Sequence, residues 1–164
     1  MSADLQEEKT RRDAVLERLT RTSPYHRFIG VGFRRLGDEL TAVLSYGDHL
    51  IGNPHVPALH GGVTGALLEI TALTQLAWDD LWRRLEQGGA AAEAVYQGQG
   101  PKLPKTIDLT IDYLRAGRPR DAYARATVQK AGRRVAYVRV EAWQDARDRP
   151  IAAAHGHFLM PDGG

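Results

Sequence analysis

The residues with the types and spacing for chemistry begin at His60-Gly61-Gly62 and end at Glu69, nine positions after the histidine. The glycines open the run Val63-Thr64-Gly65-Ala66-Leu67-Leu68, the start of an apolar helix. The first turn of such a helix presents N–H groups with no intrahelical partner, at the positive end of its dipole. Donors fixed there stabilise negative charge that develops on a carbonyl oxygen. Gly61 and Gly62 have no Cβ, so a bulky group can approach the backbone, and Gly65 and Ala66 continue the small surface one turn on. Tight packing against another chain would use the same glycines, and the two uses are compatible.

Glu69 stands between Leu68 and Ile70 in a helix that otherwise buries nearly everything. An unpaired carboxylate is costly to bury, so Glu69 must face a water-accessible cleft or hold a partner. A carboxylate so placed suits general-base catalysis; the plainer alternative is a structural acid bonded to backbone or arginine. His60 reads as a scaffold residue that bonds loop backbone and sets the helix start. His49, His55 and His60 form no HExxH-type pair and no carboxylate-supported triad, so no metal is expected. His155 and His157 alternate on one face of a strand and suit a surface or interface.

Several elements must position these groups. Asp4 to Leu19 has a narrow apolar stripe among many charges, which predicts a surface helix packed at the domain edge, and Ser23-Pro24 reads as a break. Phe28–Leu36 and Glu39–Tyr46 read as strands joined at Gly37-Asp38, followed by an irregular loop from Gly47 to Leu59. The long buried helix runs from Gly61 through Trp78 and on to Leu85. Gln87 to Gly100 reads as a flexible connection with a short helix at Ala90–Val95. Four strands then follow, at Thr106–Leu114, Ala122–Gln129, Val135–Trp143 and Ile151–Met160. Consecutive strands with short turns favour an antiparallel sheet, and one nearly all-apolar helix needs that sheet curved around it, giving an α+β domain.

The bulk numbers agree with such a domain. A length of 164 residues fits one folding unit, divided here into an N-terminal helical segment (1–22) and the main domain (23–164). Net charge is +2 with no cysteine, which argues against a nucleic-acid binder and excludes disulfides and thiolate chemistry. The charged N-terminus shows no signal-peptide core, and no run is long enough to span a membrane, so a cytoplasmic, soluble protein is expected.

Three stretches in order carry a resemblance: Asn53-Pro54 with Leu59-His60-Gly61-Gly62 and Glu69; Thr106-Ile107-Asp108-Leu109-Thr110-Ile111-Asp112-Tyr113-Leu114-Arg115; and Ile151-Ala152-Ala153-Ala154-His155-Gly156-His157-Phe158. Over most of its length the chain resembles the hotdog-fold thioesterase superfamily, in its phenylacetate-pathway (PaaI-type) branch. The resemblance implies a hotdog fold, a long central helix wrapped by a curved antiparallel sheet. It implies hydrolysis of an acyl-CoA, aromatic acyl groups included, with coenzyme A as part of the substrate and no cofactor. Glu69 matches the family's general base or nucleophile, and Gly61 the N–H that polarises the thioester carbonyl. Asn53 matches a loop residue that orients water or the carboxylate, and Thr106 a water-holding residue contributed across the dimer interface. The acid is Glu where many PaaI-type members have Asp, although the 4-hydroxybenzoyl-CoA thioesterase group, with a similar helix, uses Glu. The Asn53–His60 loop is one residue longer than the common spacing. Family members are dimers whose sheets join edge to edge, with the site between chains, and many are tetramers.

The phosphates of coenzyme A call for arginines. Arg115, Arg118 and Arg120 follow one strand, and Lys130, Arg133 and Arg134 surround the Gly132 turn. His60, Gly62 and Gly65 complete the expected ligand contacts, and Trp78, Trp82 and the Gln87–Gly100 segment are candidates for shaping the acyl pocket. A hotdog protein that binds acyl-CoA or a small ligand without hydrolysis is the alternative. The Asp and His pair of hotdog dehydratases is not found.

Overall fold

The protein, described here from a computed structural model, is resolved over residues 3–101 and 103–161. The outermost positions of the two expected segments, 1–2 and 162–164, lie outside the described residues.

Helix α1 spans Ala3–Thr20 and buries only Val15 and Leu16. These two join Trp78, Leu81, Leu85, Ala92 and Val95 in a small apolar cluster of their own. The narrow stripe thus docks the helix by one edge, and polar contacts at the rim complete the fit. Arg12 lies 4.5 Å over the Trp82 ring and pairs with Glu86 at 2.6 Å.

Ser23-Pro24 starts a helix rather than merely ending one. The Ser23 hydroxyl accepts from the His26 N–H, Pro24 takes the first helical position, and Gly30 at φ 78° closes α2 (Pro24–Ile29). Phe28 and Ile29 are therefore helical, and strand β1 begins later than expected, at Val31–Leu36. It pairs through the Gly37 turn with β2, Glu39–Leu44.

The expected irregular loop contains a 3-10 turn at Asp48–Leu50 and a small hairpin of β3 (Ile51–Asn53) and β4 (Ala58–Leu59). Helix α3 then runs Gly61–Gln87. The connection expected to be flexible is mostly a second helix, α4, Gly89–Tyr96, as its alanine-rich composition favours. The four final strands are β5 (Lys105–Tyr113), β6 (Ala122–Ala131), β7 (Val135–Trp143) and β8 (Ala152–Leu159).

Six strands form one antiparallel sheet in the order β1-β2-β6-β7-β8-β5. Alternation along β6, β7 and β8 turns Ala122, Ala124, Ala136, Val138, Val140, Ala142, Ala154 and Phe158 toward α3. The small alanines let the helix lie close to the sheet, where Leu67, Leu68, Ile70 and Leu76 fill the space between. Gln75 is the buried polar residue that ties the two layers. Its side chain accepts from the Leu40 N–H and donates to Asp38 O and Asp79 Oδ1, while burial pushes the Asp79 carboxyl up. A long helix held against a six-stranded antiparallel sheet is the hotdog fold. Strand β5 closes one side of the sheet and pairs only with β8 among the described strands.

Candidate active site

His60 is the N-cap of α3. Its extended backbone (φ −60°, ψ 134°) lets the ring Nδ1 accept the Gly62 N–H at 2.8 Å. The His60 carbonyl takes the Val63 and Thr64 N–H groups, and its own N–H goes to Leu50 O in the preceding turn. Gly52 makes room for this arrangement, because a Cβ there would stand 2.8 Å from the ring. Three of the first four N–H groups of the helix are thereby spent. The Gly61 N–H has no protein partner among the described residues.

Gly61 opens onto a cleft of about 360 Å³ shared with Thr64, Tyr113, Arg115 and Ile151. Tyr113, not foreseen from the sequence, donates its hydroxyl to Gly61 O at 2.8 Å and fixes the helix start against β5. Gly65 packs under the same strand, and a Cβ there would stand 3.0 Å from Ile111 Cδ1. Its smallness serves helix–strand packing within the chain.

Glu69 lies eight residues further along α3, half-buried, and does not line this cleft. Thr106 at the opposite end of β5 donates its hydroxyl to Glu69 Oε1 at 2.6 Å. The resemblance places this threonine across a subunit interface; the bond here forms inside one chain. It occupies one carboxylate oxygen and leaves Oε2 available. Asn53 does something else: its Oδ1 accepts from the His55 and Val56 N–H groups and shapes the β3–β4 turn.

The arginines divide between the two ends of the sheet. Arg115 reaches Pro150 O beside the Gly61 cleft, Arg120 is paired with Asp145 at 2.6 Å, and Arg118 is exposed. Arg133 and Arg134 are exposed on the β6–β7 turn, where Met160 N–H bonds Arg134 O and Val135 pairs with Leu159. That turn sits at the Thr106 end, since Lys105 pairs with Leu159 too.

The central helix thus carries an N–H without a protein partner at its start and a threonine-bonded carboxylate two turns later. The chain belongs to the Thioesterase superfamily, whose family pattern matches residues 57–151. It is 31% identical over 131 residues to the medium/long-chain acyl-CoA thioesterase YigI of Escherichia coli, covering 72% of this chain and 74% of that one. A protein of Shewanella oneidensis related to the thioesterase superfamily superposes with TM-score 0.68 at 26% identity, covering 94% and 98% of the two chains. The E. coli PaaI protein from the phenylacetic acid degradation operon shares the fold at TM-score 0.66 and 16% identity, covering 94% and 96%.

Proposed function

We propose that the protein hydrolyses acyl-CoA to the free acid and coenzyme A, with Glu69 as general base or nucleophile and the Gly61 N–H as electrophile. The observation that carries this is the pairing of a partner-free helix-start N–H with a half-buried carboxylate bonded by Thr106. The acyl group favoured is a medium or long aliphatic chain, since the YigI relative is named for those substrates. No aromatic preference has comparable support.

The site is shared by two copies of the chain. Eight residues at ~1.5 Å and ~100° each separate Gly61 from Glu69 by about 12 Å along the helix and about 80° around it. A glutamate side chain spans far less than that, so one carbonyl does not meet both groups of one chain. The two groups sit at opposite ends of β5, an edge strand with Ile107 and Tyr113 exposed (53% and 57%). Antiparallel pairing of β5 with a second β5 about a twofold brings the Thr106 end of one strand to the Tyr113 end of the other. Glu69 and Thr106 from one copy then face Gly61 and Tyr113 from its partner. The same operation gathers the Arg115 and Arg133 groups around one ligand, where they bind the phosphates of coenzyme A. Asn53, spent on its turn, holds the hairpin in front of the helix start.

Free-thiol release from octanoyl-, decanoyl-, dodecanoyl-, phenylacetyl- and 4-hydroxybenzoyl-CoA tests the reading. Turnover of the aliphatic esters is expected. Thermal stabilisation by these esters with no thiol released would establish the non-hydrolytic binding protein instead.

A further inference from the structure

Strand β5 does not run in register to its end. Thr106 opposes Phe158 and Asp108 opposes His157, so Ile107 is an extra residue, a β-bulge. The consequence for Thr106 is large, because each residue of slip exchanges the faces of a strand. Counting back from Leu109 and Ile111, which pack on the core, simple alternation would aim Ile107 at α3 and Thr106 at the outer face. With the bulge, Ile107 is left exposed and Thr106 points inward to Glu69.

Two features hold the bulge from the neighbouring strand. Gly156 lies beneath the Asp108 carbonyl, and a Cβ on Gly156 would overlap that oxygen. Asp108 Oδ1 accepts the backbone N–H of His157 at 3.1 Å, replacing a ladder bond with a side-chain one. The His157 ring adds a contact from Nδ1 to Oδ2 at 3.0 Å.

We infer that Asp108 and Gly156 are positioning residues for the thioesterase site: they pin the bulge that turns Thr106 toward Glu69. This rests on the catalytic reading of Glu69 and Thr106. Neither residue lines the Gly61 cleft, and the Asp108–His157 pair is exposed, where such pairs add little stability. Its effect is one of register, which no folding assay would reveal.

The test compares Asp108→Ala, Asp108→Asn, Gly156→Ala and Thr106→Val on decanoyl-CoA, with a crystal structure of Asp108→Ala. Thr106→Val should lower kcat roughly tenfold or more, with KM little changed. Asp108→Ala should approach the same loss, and Asp108→Asn, which keeps an oxygen for the His157 N–H, should restore kcat. Asp108→Ala added to Thr106→Val should cost nothing further, because both act through one hydroxyl. Gly156→Ala should match Asp108→Ala if it folds. Wild-type kcat in Asp108→Ala beside a damaged Thr106→Val, or losses that multiply in the double variant, would overturn the inference. Should Thr106→Val keep full activity, the catalytic reading of Thr106 fails. The Asp108→Ala structure then decides the positioning role alone, and an intact Thr106–Glu69 bond there refutes it.

Discussion

The hydroxyl of Thr106 donates to Glu69 Oε1 at 2.6 Å, joining the first residues of β5 to the third turn of α3. This bond holds one oxygen of a half-buried carboxylate in place. In the proposed reaction, Oε2 is the oxygen left to accept a proton from water or to attack a thioester carbon.

Glu69→Gln keeps the size and the hydrogen-bonding capacity of the side chain, so it should fold as wild type. It should lose at least ~100-fold in kcat on aliphatic acyl-CoA. Full thiol release by this variant would remove Glu69 from the reaction.

Gly61→Pro deletes one N–H and little else. Proline suits the first helical position, and the ψ of 134° at His60 is one that precedes proline readily. A loss of about 100- to 1,000-fold in kcat is expected, with Gly61→Ala, which keeps the N–H, much less affected. Co-refolding Gly61→Pro with Glu69→Gln should return about a quarter of wild-type activity, since half of the dimers would carry one complete site. Mixtures no more active than their parents would place the whole site in one chain.

Arg115→Ala and the Arg133→Ala/Arg134→Ala pair should each raise KM for acyl-CoA more than they lower kcat, as expected for phosphate contacts made throughout the reaction. An unchanged KM in both would locate the nucleotide elsewhere.

His60→Ala removes the cap on the Gly62 N–H and should cost about 1 kcal/mol of stability in denaturant titrations, while His60→Asn, a good capping residue, should recover most of it. A His60→Ala protein with wild-type stability but no activity would make the ring a participant in the chemistry.

His26 should make stability depend on pH. Burial holds its pKa below the ordinary value of 6.5, and its Nδ1 is buried without a partner among the described residues. The unfolded chain then binds the proton more readily, so stability should fall as pH drops through about 6.5 and level off below the folded-state pKa. His26→Gln should flatten that part of the curve. Melting temperatures measured from pH 8 to pH 5 report it, and identical slopes in the two proteins would assign the dependence to other groups.

The legible parts of the site were the local ones. Gly61 and Glu69 announce themselves by a helix start and by one charge within an apolar helix, signals carried by neighbouring residues. Thr106 was reached only by family resemblance, since nothing in β5 marks one threonine for the inner face. Tyr113 and the Asp108–His157 bond depend on which residues meet across strands, and Asp108 and His157 are 49 positions apart. Two local signals said less than the structure uses. Ser23-Pro24 serves equally to break a helix and to begin one, and the structure uses it to begin α2. The Gly52–Asn53 segment reads as loop, yet its glycine clears space for the His60 cap and its asparagine turns the hairpin.

The unpaired side of β5 has a consequence for the life of the chain before assembly. A newly folded copy presents a nine-residue strand with open N–H and C=O groups and exposed Ile107, Tyr113 and Leu114, the template on which misassociation grows. In the proposed dimer, mating with an identical strand would satisfy that surface and complete the site in one event. Selection against precipitation and selection for turnover would then act on the same few residues, and a change that loosens the proposed seam should be seen first as insoluble protein.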